Sequence, residues 1–187
     1  MKNDHMVFGI TGTLGAGKGE IVAHLLSKGF NHYSARQFIT EEVVTRNRPV
    51  NRDTMTEVAN KLREEYGSSY VFDSLIEMAE EKGGKSIVES VRTVGEAEAL
   101  KAKGGFLIAV DADPNTRYGR IVRRGSETDK VSFEKFLADE ERESVSSDPG
   151  KQNLRKVAAV ADFHIQNDGD LAELHRRIDE ILATVER

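Results

Sequence analysis

The chain has 187 residues, of which 38% are hydrophobic and 32% charged, and its formal net charge is −5. This length and composition predict one folded domain with its own core and exclude a disordered chain. The sequence contains no cysteine, which excludes disulfides and thiolate metal sites, and its negative charge excludes a general basic surface for nucleic acid. We therefore expect a cytoplasmic protein, monomeric or homodimeric, whose partner is a small molecule and neither a nucleic acid nor a membrane.

Apolar runs alternate with helical patterns along the chain. The first half predicts two strands and four helices, in the order Met6–Thr11 (strand), Gly17–Lys28 (helix), Phe30–Tyr33 (strand), and Ala35–Arg46, Arg52–Glu65 and Tyr70–Lys82 (helices). The second half predicts three strands and four helices, in the order Ser86–Val91 (strand), Glu96–Lys103 (helix), Phe106–Asp111 (strand), Asn115–Arg123 and Ser132–Ser144 (helices), Phe163–Gln166 (strand) and Leu171–Val185 (helix). Strands that alternate with helices indicate an α/β fold with a parallel sheet covered on both faces.

The segment between the first strand and the first helix carries the pattern G-x-x-x-x-G-K, from Gly12 to Lys18. Glycines at these positions let successive backbone N–H groups form a concave anion site, and the following helix adds the positive end of its dipole. Lys18 can then contact the outer phosphates of a nucleotide. The pattern therefore predicts a phosphate-binding loop, made of Gly12, Leu14, Gly15, Ala16, Gly17, Lys18, Gly19 and Glu20.

Gly19 stands where such loops usually carry a serine or threonine that contacts Mg²⁺. The sequence therefore predicts that the metal is held through water or by carboxylates from elsewhere. Glu20 follows in the first turn of the helix, where an acid interacts favourably with the helix dipole. We prefer this interpretation to the alternative, in which Glu20 orients a metal-bound water, because a carboxylate beside a triphosphate is repelled.

Three further segments are similar to those of known kinases, and together they span nearly the whole chain. The GKG of residues 17–19 resembles adenylate kinases, in which a glycine also replaces the hydroxyl residue, and VAAVADFHIQNDGDLAEL, residues 157–174, resembles the closing segment of dephospho-CoA kinases. The pattern Gly-Lys-X-Glu that ends at Glu20, and FLADEERE at residues 136–143, resemble a dephospho-CoA-kinase-related group common in archaea.

The chain thus resembles the P-loop small-molecule kinases of the adenylate kinase and dephospho-CoA kinase branch, and most closely that archaeal group. The resemblance implies a single three-layer P-loop domain whose five-stranded parallel sheet has the order 2-3-1-4-5, with ATP on the loop. It also implies an acceptor-binding segment at about residues 34–70 and a short helical lid at about residues 117–144.

Four arginines follow the fourth strand, where the lid is predicted: Arg117, Arg120, Arg123 and Arg124. Their spacing places Arg117, Arg120 and Arg124 on one face of a helix. Because a guanidinium pairs two phosphate oxygens and stays ionised, we predict that Arg120 and Arg124 contact the transferred phosphoryl group. A solvated basic face is the alternative. Arg142 is predicted either to close from the other arm of the lid or to form a surface ion pair.

The third strand ends near Glu89, and ligands of parallel sheets collect at the carboxyl ends of strands. The resembling kinases carry Asp-Gly-x-Arg here, with the acid near the metal or the acceptor and the arginine on a phosphate, and this chain has Glu89, Ser90 and Arg92. We predict that Glu89 assists catalysis, through a metal-bound water or the acceptor hydroxyl. The alternative for Glu89 is a strand-end residue that faces water. Arg92 is predicted to bind an acceptor phosphate.

The resemblance also suggests contacts outside these motifs. Arg36 is predicted to bind an acceptor phosphate. Arg63 is predicted to do the same, or simply to lie at a helix end capped by Gly67. Asn167 and Gly169 are predicted to surround the adenine with backbone contacts, to form a turn that caps the last helix, or to do both.

These residues together predict an ATP- and Mg²⁺-dependent kinase that transfers a phosphoryl group to a small nucleotide or nucleoside-type acceptor. One alternative is a dephospho-CoA kinase, whose acceptor is a ribose hydroxyl and therefore needs a general base. A second alternative, from a different class, is a nucleotide-gated switch or slow ATPase that has no acceptor.

Overall fold

A computed structural model describes residues 6–67, 69–125, 131–144 and 153–186. These residues form five strands and nine helices, in the chain order β1 (Met6–Gly12), α1 (Lys18–Ser27), β2 (Asn31–Ser34), α2 (Ala35–Thr45), α3 (Arg52–Tyr66), α4 (Tyr70–Lys82), β3 (Lys85–Glu89), α5 (Val94–Ala102), β4 (Phe106–Asp111), α6 (Pro114–Arg124), α7 (Phe133–Ser144), α8 (Leu154–Ala159), β5 (Phe163–Gln166) and α9 (Leu171–Val185). Every strand and helix predicted from the sequence is present, with bounds that shift by a few residues at most.

The strands form one parallel sheet in the order β2-β3-β1-β4-β5, which confirms the predicted order. β1 is central, because Ile10 lies opposite Glu89 of β3 on one side and opposite Ile108 of β4 on the other. The interior of β1 is buried throughout, as expected for a strand that helices cover on both faces. Since all strands run in one direction, their carboxyl ends meet at one edge of the sheet, and the loop after β1 lies at that edge.

Two apolar cores join the sheet to the helices on its two faces. Phe8 shares one core with Leu25 of α1 and Ile178 of α9. Val7 shares the other with Leu100 of α5, and side chains of α4 and α8 complete it. Successive side chains of a strand point to opposite faces, so adjacent residues of β1 contribute to different cores. The result is the predicted three-layer arrangement.

A third core holds α2, α3 and α4 together beside β2. It contains Ile39 and Val43 of α2, Val58 and Leu62 of α3, and Val71 of α4. We call residues 35–82 the helical lobe. This lobe contains most of the segment for which acceptor binding is predicted.

The structure adds one helix to the prediction and shifts one strand. The added helix is α8, which is six residues long and begins after Asn153, whose Oδ1 accepts a hydrogen bond from the backbone N of Lys156. β2 begins after Phe30, because the backbone N of Phe30 donates to the carbonyl oxygen of Leu25 at the end of α1. Arg142 lies outside the residues whose side chains the structure describes. Across the described ranges, every helix is too short or too polar to cross a membrane.

Candidate active site

The loop between β1 and α1, residues 12–18, contains three glycines that no other residue could replace without strain, and Gly15 and Gly17 lie in its interior. Gly15 and Gly17 have φ angles of +81° and +108°, a region that side chains with a Cβ rarely adopt. A Cβ at Gly15 would lie 2.7 Å from the carbonyl oxygen of Arg117, and a Cβ at Gly17 would overlap Nδ2 of Asn167. Both conformation and space therefore require glycine at these positions.

Lys18 is the first residue of α1, and its side chain folds back over the loop. Its Nζ donates hydrogen bonds to the carbonyl oxygens of Gly12 and Thr13, at 2.7 and 2.9 Å. Gly19 follows inside the helix and is exposed, and no heavy atom lies within 4 Å of a Cβ placed there. The loop therefore has room for a hydroxyl side chain at position 19 but lacks one.

The loop borders a cavity of about 1250 Å³ at the carboxyl ends of the strands. Among the described residues that line this cavity, seven basic side chains outnumber four acidic ones, although the chain as a whole is negatively charged. Most of the residues predicted for the site lie in this lining: Leu14, Gly15, Gly17, Lys18, Gly19, Glu20, Arg36, Arg63, Glu89, Arg92, Arg120, Arg124, Asn167 and Gly169. Gly12 and Ala16 belong to the loop but do not line the cavity. The excess of basic side chains favours an anionic ligand.

Asn167 supports the loop from the end of β5, a role that the sequence analysis did not predict. Its Nδ2 donates to the carbonyl oxygen of Ala16 at 2.8 Å, and its backbone N donates to the carbonyl oxygen of Asp111 at 2.7 Å. The N-cap of α9 is Asp170, whose Oδ1 accepts from the backbone N of Glu173. The helix-capping function considered for Asn167 therefore belongs to Asp170, and the Asn167 side chain stabilises the loop.

Arg117 and Arg120 occupy different surroundings, although their spacing on α6 suggests a shared face. Arg117 is only 2% exposed and does not line the cavity. Its Nε donates to the carbonyl oxygen of Ala112 at 2.8 Å, and its two Nη atoms donate to the carboxylate of Glu140 on α7. Arg120 lines the cavity, and its Nη2 donates to the carbonyl oxygen of Asn167 at 2.9 Å. The predicted shared face agrees with the contacts of these two residues, since Nη1 of Arg117 lies 3.4 Å from the carbonyl oxygen of Leu14 and Nη1 of Arg120 lies 3.5 Å from that of Gly15. Only Arg120 lines the cavity, because the buried guanidinium of Arg117 is paired with Glu140.

Glu89 ends β3 and pairs with a histidine that the sequence analysis did not single out. Nε2 of His32, on the neighbouring strand β2, lies 3.1 Å from Oε2 of Glu89. This hydrogen bond, aided by the charges of His32, Lys18 and Arg92, lowers the pKa of Glu89 against the opposing effect of burial. Glu89 therefore presents an ionised carboxylate to the cavity.

Ser90 follows Glu89 with a φ of +71°, which is unusual for a residue with a side chain. Its backbone N donates to the carbonyl oxygen of Ile10 at 3.0 Å, so the turn after β3 is tied to the central strand. The resembling kinases carry glycine at this position. The conformation explains that preference, because glycine adopts positive φ without a steric penalty.

The part of the cavity formed by the helical lobe and by Glu96 of α5 combines apolar walls with cations, and we call it the acceptor half because acceptor binding is predicted for that lobe. Met55, Ala59 and Phe72 line it, and so do Arg36 and Arg63. Neither guanidinium makes a hydrogen bond or an ion pair with any part of the chain that the structure describes. An unoccupied guanidinium beside an apolar wall suits a ligand with an anionic group and a flat or apolar body.

Gly67 ends α3, and its N–H donates to the carbonyl oxygen of Arg63 at 3.0 Å. The predicted cap at Gly67 is thus confirmed, and the Arg63 side chain still lines the cavity. Glu96 lies in the same half of the cavity, where burial raises its pKa in spite of the nearby positive charges of Arg63 and Arg92. The sequence signal for Glu96 was Thr93 three residues earlier, which together with Glu96 forms a capping box at the start of α5.

Within the described ranges, no cluster of three or more histidine, aspartate or glutamate side chains could hold a metal without other ligands. A Mg²⁺ ion commonly uses one or two carboxylates together with water and substrate phosphates. Glu89, ionised and in the same cavity as Lys18, fits that use. The residues present therefore suit a metal that arrives with a nucleotide.

A parallel sheet of this order, with a glycine-rich loop and a lysine between β1 and α1, defines a P-loop kinase-like domain. A family model described as an AAA domain matches residues 9–146. The UPF0200 protein of Thermococcus sibiricus is 31% identical over 183 residues, which cover 94% of this chain and 93% of that protein. The UPF0200 protein of Staphylothermus marinus is 32% identical over 174 residues, which cover 92% and 89%. By these matches the chain belongs to the AAA domain family and, in particular, to the UPF0200 proteins.

Several solved structures share the fold. TT1252 from Thermus thermophilus has a TM-score of 0.62 at 20% identity, and the match covers 96% of this chain and 97% of that one. Shikimate kinase from Bacteroides thetaiotaomicron has a TM-score of 0.58 at 12% identity, covering 97% and 99%. Dephospho-CoA kinase from Campylobacter jejuni has a TM-score of 0.53 at 14% identity, covering 96% of each chain. At these identities the likeness shows the kinase-like fold and no particular substrate.

Proposed function

We propose that this protein is a P-loop phosphotransferase that moves the γ-phosphoryl group of ATP to a small nucleotide or nucleoside-type acceptor. The observation that carries the proposal is a single cavity with two differently built halves. The phosphate-binding loop and Lys18 line one half, and Arg36 and Arg63 line the other. The proposal is supported by a fold shared with shikimate kinase and dephospho-CoA kinase, both of which are small-molecule kinases.

The loop is suited to the nucleotide that donates the phosphoryl group. Its backbone N–H groups and the N-terminal end of α1 attract phosphate oxygens, and Lys18 can exchange its two carbonyl partners for them. Arg120 already lies beside the end of β5, next to Asn167. ATP brings Mg²⁺, which neutralises charge on the phosphates, and Glu89 would help to hold it through water.

The transfer itself needs positioning and positive charge more than covalent chemistry. An oxygen of the acceptor attacks the γ-phosphorus in line, a bond to that oxygen forms, and the bond to the leaving oxygen of ADP breaks. Lys18, Arg120 and Arg124 would stabilise the charge that develops on the phosphoryl oxygens and the leaving group. A phosphate acceptor is already nucleophilic, so it needs no general base.

A hydroxyl acceptor, as in dephospho-CoA kinase, is the second candidate, and the pair of Glu89 and His32 favours it. A hydroxyl must lose a proton as it attacks, and an ionised carboxylate in the cavity can accept that proton. Glu89→Gln should therefore nearly abolish transfer to a hydroxyl, but it should only weaken transfer to a phosphate.

The direct test is a screen of acceptors. The protein is incubated with ATP, Mg²⁺ and, one at a time, nucleoside monophosphates, deoxynucleotides, nucleosides and dephospho-CoA, and ADP is measured. We expect one acceptor class to accelerate ADP formation, and Lys18→Ala to remove that activity. ADP formation at a single slow rate with every acceptor would support the switch or slow ATPase and overturn the kinase proposal.

A matched pair of variants on α3 tests the acceptor half. Arg63 lines the cavity, whereas Lys61, two residues earlier, is exposed and does not line it. Arg63→Gln should raise the KM for the accelerating acceptor by about tenfold or more, the usual size of a lost charge-assisted contact, while Lys61→Gln leaves it unchanged. Equal KM values for the two variants would show that Arg63 does not bind the acceptor.

A further inference from the structure

Ser90 holds a strained backbone conformation just after β3, at a position where the fold does not need its side chain. Two described residues other than glycine have a positive φ, namely Asn47 at +53° and Ser90 at +71°. Asparagine tolerates this region because its short amide side chain can hydrogen-bond locally, whereas serine is not favoured there. Asn47 is an exposed residue shortly after α2, but Ser90 lines the cavity. The strain at Ser90 therefore lies at the candidate active site.

Backbone hydrogen bonds hold this turn in place. The carbonyl oxygen of Ile10 accepts from the backbone N of Ser90 at 3.0 Å and from the backbone N of Val91 at 2.9 Å. The turn is thus fixed to the central strand β1, two residues before the phosphate-binding loop begins at Gly12. Glycine would make the same two hydrogen bonds and would avoid the strain. A side chain that costs stability beside a ligand cavity indicates a functional role for that side chain.

The hydroxyl group of Ser90 is available for chemistry, since it makes no hydrogen bond within the part of the chain that the structure describes. Among the described residues that line the cavity, Ser34 and Ser90 alone carry a hydroxyl group. Ser34 has a φ of −116°, which is an ordinary extended conformation. A serine on a tight, strained turn after a parallel strand presents its hydroxyl at the edge of the sheet, as nucleophilic serines of other α/β enzymes do. The conformation therefore favours Ser90 over Ser34 as a nucleophile.

The neighbours of Ser90 supply a base and positive charge. Glu89, the preceding residue, presents an ionised carboxylate to the same cavity. Lys18 and Arg92 lie close enough to Glu89 for their charges to lower its pKa, so both cations are near this turn. A serine hydroxyl is a weak nucleophile until an adjacent base accepts its proton, and cations stabilise the charge of a phosphoryl group during its transfer. The surroundings of Ser90 thus suit attack on a phosphate.

We infer that Ser90 is an autophosphorylation site, whose Oγ takes the γ-phosphoryl group from ATP bound at the phosphate-binding loop of the same chain. The Oγ attacks the γ-phosphorus in line, an Oγ–P bond forms, and the bond from phosphorus to the leaving oxygen of ADP breaks. The hydroxyl proton passes to the Glu89 carboxylate, which releases it to water, and the products are phosphoserine and ADP. This inference rests on the proposed function for ATP as the donor, but it needs no second substrate.

The test is incubation of the purified protein with Mg²⁺ and ATP labelled in its γ-phosphate, without any acceptor. The mass of the intact chain gives the number of phosphoryl groups attached, and mass spectrometry of its peptides gives their position. Ser34→Ala is the matched control, because it removes the other hydroxyl group of the cavity. Ser90→Ala removes the nucleophile and keeps the Cβ, whereas Ser90→Gly removes the nucleophile and the strain together. Urea unfolding of each variant measures its stability.

We expect the wild-type chain to be labelled on Ser90, at a rate per molecule that does not change with protein concentration. Ser34→Ala should keep that rate within about threefold. Ser90→Ala and Ser90→Gly should each lower it by at least about a hundredfold, since no other group replaces the nucleophile. Because Ser90→Gly should be at least as stable as the wild type, its loss of label cannot come from unfolding. Glu89→Gln should slow the labelling by about a hundredfold, as for a lost general base.

The inference is overturned if the wild-type chain takes up no label, if the label lies on another residue, or if Ser90→Ala keeps it. A labelling rate per molecule that rises with protein concentration would also overturn it, since the transfer would then occur between chains. The proposed function fails in a distinguishable way, in the acceptor screen. ADP formation that an acceptor accelerates, without labelled protein, would keep the proposed function and remove the inference. Label on Ser90 without any accelerating acceptor would do the reverse.

Discussion

Two glycines separated by a single residue should respond in opposite ways to the same substitution. Gly17 is the N-cap of α1 with a φ of +108°, and a Cβ there would overlap Nδ2 of Asn167. Gly19 lies inside α1, with no heavy atom within 4 Å of its added Cβ. Alanine at position 17 should therefore damage the loop, and alanine at position 19 should stabilise the helix.

The magnitudes follow from these surroundings. A left-handed conformation costs a residue with a Cβ about 1–2 kcal/mol. Displacing Asn167 removes its hydrogen bond to the carbonyl oxygen of Ala16, which is worth about 1 kcal/mol. Together these two costs amount to about 2–3 kcal/mol. If the loop of Gly17→Ala relaxes to avoid the strain, nucleotide binding must supply this energy to restore the loop conformation. Gly17→Ala should therefore weaken nucleotide binding by roughly 30- to 150-fold. Gly19→Ala should add about 1 kcal/mol of stability, or about 2–4 °C in Tm.

The assay is titration calorimetry of Mg²⁺-ATP on both variants, with urea unfolding as the measure of stability. Gly19→Ala serves as the control, because it adds the same methyl group to the same segment. We expect it to keep the wild-type affinity within about threefold, a difference of less than 1 kcal/mol. Equal affinities for the two variants would refute the reasoning that the backbone shape of the loop creates the phosphate site.

Three further predictions concern neighbouring residues. Ser90→Gly should raise the free energy of unfolding by up to about 1 kcal/mol in urea unfolding. The reason is that the strain energy relieved at the positive φ exceeds the free-energy cost of the greater entropy of glycine in the unfolded chain. A Ser90→Gly protein that is less stable than Ser90→Ala would contradict this. Burial raises the pKa of Glu96 in the folded state above its value in the unfolded state. At pH values between these two pKa values, the folded state therefore binds more protons than the unfolded state. The free energy of unfolding of the wild-type protein should thus fall as the pH rises through that range. The unfolding free energy of Glu96→Gln relative to wild type should therefore increase as the pH rises above the ordinary pKa of a glutamate, about 4.3, and a difference that stays flat with pH would count against burial as the cause. Gly19→Ser should lower the Mg²⁺ concentration that half-saturates nucleotide binding, because it supplies the missing hydroxyl, whereas a value equal to that of Gly19→Ala would show that the metal does not reach position 19.

The sequence predicted the fold closely wherever local patterns were strong. The bounds of β4 and α9 match the prediction because β4 lies between glycine and proline turns and α9 has an uninterrupted apolar stripe. The phosphate-binding loop also follows from the sequence, since its spacing and its place between a strand and a helix are local features. By contrast, α8 is six residues long, which is too short for its apolar residues to show a helical period, so the sequence pattern does not predict it.

The supporting contacts of the site could not be predicted, because they join distant parts of the chain. Asn167 and Ala16 are 151 residues apart, and His32 and Glu89 are 57 apart. Such pairs follow from the order and register of the strands, which place Ser34 of β2 opposite Glu89 of β3. The spacing of Arg117 and Arg120 predicts that they lie on the same side of α6. It does not predict that α7 packs over Arg117 and leaves Arg120 at the cavity.

The buried guanidinium of Arg117 limits how α6 and α7 can move relative to each other. It connects the end of β4 with α6 and α7, and its Nη1 also lies 3.4 Å from the carbonyl oxygen of Leu14 in the loop. Separating α7 from α6 would remove the Glu140 carboxylate from the buried guanidinium of Arg117, and a buried charge without its partner costs about 3–5 kcal/mol. We therefore expect α6 and α7 to move together as one rigid unit in any conformational change, and the contact of Arg117 with Leu14 couples that unit to the backbone of the loop.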